Sequence, residues 1–466
     1  MPELVVCSNR GAYSYVRTNG QIESRRGGGG LIAAITPVLE ATGGTWIAAA
    51  LSDTDREVAR SNPDGREERH FRSLVLDLPP EVHAAHYEIV SNEYLWFLFH
   101  YLFEETAEPV FDSTFEQAWD AYVEVNRRFA DAVTRTSAEA VLIDDYHLLL
   151  VGRMLSEDGD KRPRSYFHHT PWCEARYFAH LPDALTAEIL TSMLAYDAVG
   201  FHARRWADAF LECCDQLVPD AEVFGDRVDY ADRSVNVLVA PVPLDLKRLE
   251  ADLASPRTQR WLEEHEQIRK DRQLIVRVDR TDISKNPLRG FLAFEQLLAR
   301  RPELGSQVHF LAQMYPSRQS VAVYQRYFAE CATVAGRIAE KFPDAIELHN
   351  EDDFYKSLAA LELYDVLLVN PVIDGLNLVA KEGAVANKRA GSIVLSRNAG
   401  VYEQIGQATI GIDPFDITGT ADAIEQALVM PEAERVSIAH TLRDLAARGT
   451  PREWVGARLR AAGVSI

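Results

Sequence analysis

Two cations stand five residues apart in Arg280-Thr-Asp-Ile-Ser-Lys285, just beyond the apolar run Leu274 to Val278. An Arg fork and a Lys point charge at that separation suit a diphosphate. The plainer alternative is a solvated loop in which Asp282 neutralises a neighbour. Further on, Asp374-Gly-Leu-Asn-Leu-Val-Ala-Lys-Glu382 runs from a strand end through a tight turn into a helix. Asp374 and Asn377 stand where they could reach a ligand, and the N–H groups of Leu378 and Val379 open a helix N-terminus. Glu382, one turn on, could accept hydrogen bonds from vicinal hydroxyls such as those of a ribose. Asp374 or Asn377 could equally do no more than cap the helix.

Carboxylate and imidazole meet in Asp144-Asp145-Tyr146-His147 and in His168-His169-Thr170-Pro171-Trp172, each just past an apolar strand. That pairing suits acid/base work or the binding of sugar hydroxyls. No Glu or His stands at zinc-like spacing, so no metal is expected. The run Gly27-Gly28-Gly29-Gly30 follows Arg25-Arg26 and precedes a helical pattern at Leu31. Such glycines let backbone N–H groups approach a phosphate. Gly28-x-Gly30-x-x-Ala33 formally fits a dinucleotide fingerprint, but a polar stretch read as loop separates it from the first strand. A flexible surface loop is the alternative.

The elements that must carry these motifs alternate. Strands are expected at Leu4 to Ser8, from Gly43, at Ala140 to Ile143, Pro163 to Phe167 and Ala195 to Phe201, with helices at Leu31 to Leu39 and Phe115 to Ala132. The pattern restarts with strands at Leu274 to Val278, Val308 to Ala312, Tyr364 to Asn370 and Ile393 to Ser396. Helices are expected at Pro287 to Leu298, Val321 to Lys341 and Leu378 to Ala386. Ala240 to Lys247, with Pro241 and Pro243, reads as the linker, and the acidic stretch Leu253 to Lys270 as a solvated helix. The expectation is α/β, two domains with mostly parallel sheets and a cleft between them, ligands binding at the carboxyl ends of the strands.

With Asp+Glu at 70 and Lys+Arg at 49 the net charge is −21, which excludes a protein held to nucleic acid or anionic membrane by bulk charge. The five cysteines, Cys7, Cys173, Cys213, Cys214 and Cys331, are odd in number and form no C-x-x-C pair, against a disulfide framework or a zinc ribbon. No basic leader precedes an apolar stretch, and no apolar run nears the ~18 residues of a membrane span. A soluble cytoplasmic protein is expected.

Taken in order, the motifs resemble the trehalose-6-phosphate synthase family of retaining glycosyltransferases. The resemblance runs from Ser8-Asn9-Arg10 nearly to the last helix, with Asp145-Tyr-His-Leu, His169-x-Pro171, Ser317-Arg318, Ser91-Asn92 and Leu95-Trp96 in support. It implies a GT-B fold: an acceptor-binding Rossmann-like domain over 1–240, a nucleotide-sugar-binding one over 241–450, and a helix over 451–466, near Trp454, crossing back to the first. It further implies that Arg280 and Lys285 hold the donor diphosphate with help from the backbone of Gly28 and Gly29. Glu382, Leu378 and Val379 would serve the nucleoside, and Asp374, Asn377 and His169 the donor side of the site. Arg10, Tyr87, Trp96 and Arg318 would bind the phosphorylated acceptor, with Asp145 at its hydroxyls near the reacting centre. Asp145, His169, Arg280 and Lys285 are the implied catalytic set. Arg318, after the Pro316-Ser317 turn, is expected to present an exposed guanidinium to the acceptor phosphate. No cofactor is implied. The partners are a nucleoside-diphosphate glucose and glucose 6-phosphate, and a homo-oligomer is compatible with the sequence.

The sequence departs from the family pattern at Asp144, where the family has His, at Ala49, which lacks a second Trp, and at Asn286, where it has Gly. Trp46-Ile-Ala, Asn62-Pro-Asp-Gly65 and Arg280-Thr-Asp-x-x-Lys-Asn286 resemble the pseudo-glycosyltransferase branch that makes validoxylamine phosphate from a GDP-linked cyclitol. Ser284 and the intact 374–382 segment keep the synthase pattern. GDP-glucose is therefore expected over UDP-glucose. The alternatives are coupling of a GDP-cyclitol to a phosphorylated aminocyclitol, and a catalytically silent regulator, which would be expected to have lost these donor-binding charges.

Overall fold

A computed structural model describes residues 1–318 and 321–466. The chain forms two compact units: Met1–Val242 together with Thr450–Ile466, and Pro243–Gly449. In the first, seven strands run parallel in the order Arg233–Val239, Ala198–Phe201, Arg164–Phe167, Ala140–Asp144, Leu4–Cys7, Thr45–Ala49 and Phe71–Leu76 among the described residues. Antiparallel strands finish both edges. The central strands are short and buried along their whole length, as a parallel sheet covered on both faces requires. The chain adds strands outward from Leu4–Cys7 in one direction, then returns to its other side at Ala140–Asp144. That reversal is a topological switch point, where α/β sheets bind ligands.

The second unit repeats the plan with six parallel strands among the described residues: Ile346–Asn350, Val308–Tyr315, Gln273–Arg280, Val366–Val369, Ser392–Ser396 and Ile410–Ile412. Its order reverses between Gln273–Arg280 and Val366–Val369. Phe291, Phe294 and Leu297 on the helix Pro287–Arg300 pack on Ile275, Phe310 and Leu368 of the sheet. Apolar spacing on that helix is what buries one face and leaves its first turn beside the Arg280–Lys285 segment.

Several local expectations change. The stretch before the glycine run is a β-hairpin, Tyr13–Thr18 paired with Gln21–Arg26, not a loop. Asn19 and Gly20 both take positive φ at its turn, the geometry of a tight two-residue hairpin. The helix expected over 253–270 is Pro256–Arg269, capped by Ser255 and fixed in its first turn by Pro256, and a separate helix, Leu246–Leu253, begins inside the expected linker. Ala85–Leu95 is a π-helix, a wide turn that residue spacing does not foretell. The last helix, Pro451–Ala461, belongs to the first unit: Trp454 donates its indole N–H to Ala240 O at 2.9 Å, and Arg458 is fully buried.

His86 on the π-helix is sealed from solvent and donates Nε2–H to His147 O at 3.0 Å. Burial pushes its imidazole down to about 3, so it is neutral in the fold and takes up a proton on unfolding below pH 6.5. Its contribution is complete above that pH and is lost as pH falls, amounting to about 2 kcal/mol at pH 5. The urea midpoint is expected to drop further between pH 7.5 and 5 in the wild type than in His86→Gln. Equal drops would show that another group governs the acid limb.

Candidate active site

At the second unit's switch point, Arg280 ends its strand exposed to solvent. A single turn, Ile283–Lys285, then brings Lys285 against Asp374, with which it forms an ion pair. Asp282 caps that turn through Ser284 N and Ser284 Oγ at 3.0 and 2.9 Å. The loop hangs on a buried frame. Arg277, fully buried, donates to Asp279 Oδ2 at 2.8 Å, to Asn370 Oδ1 and to Lys285 O. Asn286, at φ 60, donates its amide to Asn370 O and Pro414 O at 3.0 and 2.9 Å. An Asn tolerates this left-handed backbone, and its side chain ties the loop down as glycine could not. Gly290 leaves room for this frame, since a Cβ there would meet Arg277 Nη1 at 3.0 Å.

The turn after Val366–Val369 carries Asp374, which accepts from Asn377 Nδ2 at 3.0 Å. Asn398 and Gly400 clasp it through Asp374 N and O. Asn377, at φ 82, caps the helix Leu378–Ala386 by accepting from Ala380 N at 3.1 Å. Capping and a place beside the cation pair are thus combined in one residue. Leu378 and Val379 start that helix, half-buried. Glu382 keeps part of its surface open, yet its carboxyl lies deep, and burial pushes it up to about 7.

Arg318 is a correction. Its guanidinium is 7% exposed and is paired with the buried Asp282, so it is not the open phosphate grip expected after Pro316-Ser317. Asp282 needs a cation because it caps the Ile283–Lys285 turn from inside the fold, and Arg318 supplies it. Gly28 has open space where a Cβ would stand, and Gly29, at φ 115, precedes the helix Gly30–Thr42.

In the first unit, Asp144 and Asp145 end their strand at the switch point. Asp145 takes φ 75, ψ 163, a conformation that costs a non-glycine residue about 1–3 kcal/mol and that clusters at functional sites. Its Oδ1 accepts from Tyr146 N and His169 N at 3.0 and 3.4 Å, and burial pushes its carboxyl up. His169 Nε2 lies 2.9 Å from Asp144 Oδ1. Tyr87, on the π-helix, stacks on the rings of His83 and His147. Arg10 is exposed beyond Leu4–Cys7. Trp96 is 5% exposed and stacks on the ring of His100. Arg277, Asn370 and Arg458 are absent from the expected set. Each acts through neighbours distant in sequence, and a buried Arg has no short motif.

The sequence profile described as glycosyltransferase family 20 matches residues 2–462. The chain belongs to this family. Validamine 7-phosphate valienyltransferase of Streptomyces hygroscopicus subsp. jinggangensis (strain 5008) is 30% identical over 98% of this chain and 93% of its own. The UDP-forming alpha,alpha-trehalose-phosphate synthase of Candida albicans (strain SC5314 / ATCC MYA-2876) is 29% identical over 93% of this chain and 91% of its own. A solved UDP-forming alpha,alpha-trehalose-phosphate synthase from Burkholderia vietnamiensis superposes with a TM-score of 0.85 at 26% identity, covering 99% of each chain. This family 20 glycosyltransferase therefore has the GT-B fold. Among its described residues no helix is long and apolar enough to cross a membrane.

Proposed function

We propose that the chain is a retaining glucosyltransferase that makes α,α-trehalose 6-phosphate from a nucleoside-diphosphate glucose and glucose 6-phosphate, in the cytoplasm. The observation that carries this reading is the cluster of Arg280, the Lys285–Asp374 pair and deep-set Glu382 around one switch point. Breaking the anomeric C–O bond of the donor builds negative charge on the leaving phosphate, and fixed cations stabilise it without reorganising. Arg280 and Lys285 take that role, Asp374 and His169 hold the donor sugar, and Glu382 receives the ribose hydroxyls. Asp145, with Arg10 and Tyr87, faces the acceptor. No carboxylate is assigned as nucleophile; the leaving phosphate itself takes the acceptor proton as the acceptor attacks the same face.

GDP-glucose is the proposed donor. The resemblance of Trp46-Ile-Ala, Asn62-Pro-Asp-Gly65 and Arg280-Thr-Asp-x-x-Lys-Asn286 to the GDP-using branch supports it. So does a cavity of about 300 Å3 in the second unit, lined by Thr281, Ser317, Tyr324, Gln325, Phe328 and Asn350, with room and polar groups for a larger base. The same likeness favours a second reading, transfer of a cyclitol to an aminocyclitol phosphate. A panel of GDP-, UDP- and ADP-glucose with glucose 6-phosphate, and of GDP-valienol with validamine 7-phosphate, separates them. Turnover is expected with glucose 6-phosphate, at highest kcat/KM with GDP-glucose. A higher value with UDP-glucose sinks the base preference. Turnover only with the cyclitol pair sinks the main reading.

A further inference from the structure

Asp144 is sealed from solvent at the end of its strand. Its carboxylate receives two groups from opposite ends of the sequence. Arg458 Nη1, on the last helix, lies 2.9 and 3.2 Å from its two oxygens, and His169 Nε2 lies 2.9 Å from Oδ1. Arg458 is itself fully buried. Its Nη2 donates to Ile143 O and Ser165 O at 3.2 and 3.4 Å, and its guanidinium lies over the rings of Trp454 and Phe167 at 4.9 and 5.4 Å. Three residues from three elements of the first unit thus form one line: Arg458, Asp144, His169.

We infer that Arg458 and Asp144 are positioning residues that fix His169 as the neutral Nε2–H tautomer and leave Nδ1 to accept a hydrogen bond from a donor-sugar hydroxyl. The inference rests on the reading that His169 meets the donor sugar. The chemistry is directional. A guanidinium only donates and keeps its charge at all working pH, so Asp144 faces it as an acceptor, and the imidazole nitrogen beside the same oxygen must carry the proton. Which ring nitrogen of a His is free is set by the bond the other makes. Because Arg458 already neutralises Asp144, the carboxylate does not need His169 as an imidazolium partner. The other titratable groups around His169 are Asp145, bonded to its backbone, His168 beside it, and His202, whose ring centroid is 5.1 Å away. Burial holds His168 well below its ordinary range, so it adds no charge. This line also accounts for Asp144 itself: a His there could not hold Arg458.

Imidazole 15N NMR and kinetics test the inference on the full chain, with the His169 signal assigned by its loss in His169→Gln. The neutral ring of His169 in the wild type is expected to be protonated on Nε2. In Arg458→Met, Asp144 has only His169 as counter-ion, so the imidazolium is favoured relative to the wild type. kcat/KM for the nucleoside-diphosphate glucose then falls more steeply toward acidic pH than in the wild type, with an unchanged KM for glucose 6-phosphate. Asp144→Asn serves if that variant does not fold: its NH2 turned to His169 reverses the tautomer, and donor kcat/KM falls at least tenfold. A wild-type Nδ1–H tautomer overturns the inference. So does a folded variant of either kind with wild-type 15N shifts and donor kinetics. Absence of turnover with every nucleoside-diphosphate glucose refutes the functional reading instead, and the tautomer can still be read.

Discussion

Arg280→Ala and Lys285→Ala are each expected to lower kcat by about 30- to 1,000-fold, the 2–4 kcal/mol typical of removing one preorganised donor from a developing oxyanion. The two should differ in character. Arg280 ends its strand in solvent, so its loss leaves the loop's frame of Arg277, Asn286 and Asn370 in place. Lys285 is the partner of Asp374, so its loss also releases the carboxylate that orders Asn377. Donor KM should therefore rise more in Lys285→Ala. Lys285→Arg is not expected to rescue, because a planar fork does not fit where an ammonium meets one carboxylate oxygen. Unchanged melting with near wild-type kcat in either Ala variant would return the loop to a solvated, non-catalytic role.

Arg277→Met is expected to destabilise the second unit by about 3–5 kcal/mol, the usual cost of removing one partner from a buried ion pair. The loss has a pH signature. Asp279, the carboxylate left behind, is already pushed up to about 6 by burial, with Arg277 pulling against that rise. Without the cation its carboxyl rises further, so the fold holds a proton there that the unfolded chain releases. Stability of the variant then falls as pH climbs above 6, and the gap from wild type is smaller at pH 5 than at pH 8. Denaturant titrations at the two pH values read this directly. A gap independent of pH would show that lost packing, not the stranded charge, sets the cost. Turnover should fall as well, since Lys285 O loses its donor.

What the sequence made legible was whatever is encoded locally. Buried strands such as Leu4–Cys7 and Ser392–Ser396 are continuous apolar runs, and Asp374, Asn377 and Glu382 sit in one nine-residue segment whose turn and cap are local chemistry. Arg318 was misjudged because a Pro-Ser turn implies exposure, whereas its partner Asp282 comes from a loop 36 residues away. The hairpin Tyr13–Arg26 did leave a signal in Asn19-Gly20, outweighed by the polar residues around it. The Arg458–Asp144 pair, 314 residues apart, left none: only the folded chain brings them together.

The helix that supplies Arg458 also bears on how the protein is made. Pro243–Gly449 is one continuous stretch, but the first unit takes its last helix from Thr450–Ile466. During synthesis the second unit can complete its core while the first still lacks the cation of Asp144 and the indole that meets Ala240 O. Domains fold as they emerge, so here the unit begun first is the one finished last. A chain cut just before Thr450 would hold every residue of the second unit and a first unit without the cation of Asp144. Loss of that helix would thus be felt at the switch point of the first unit, 314 residues earlier in the chain.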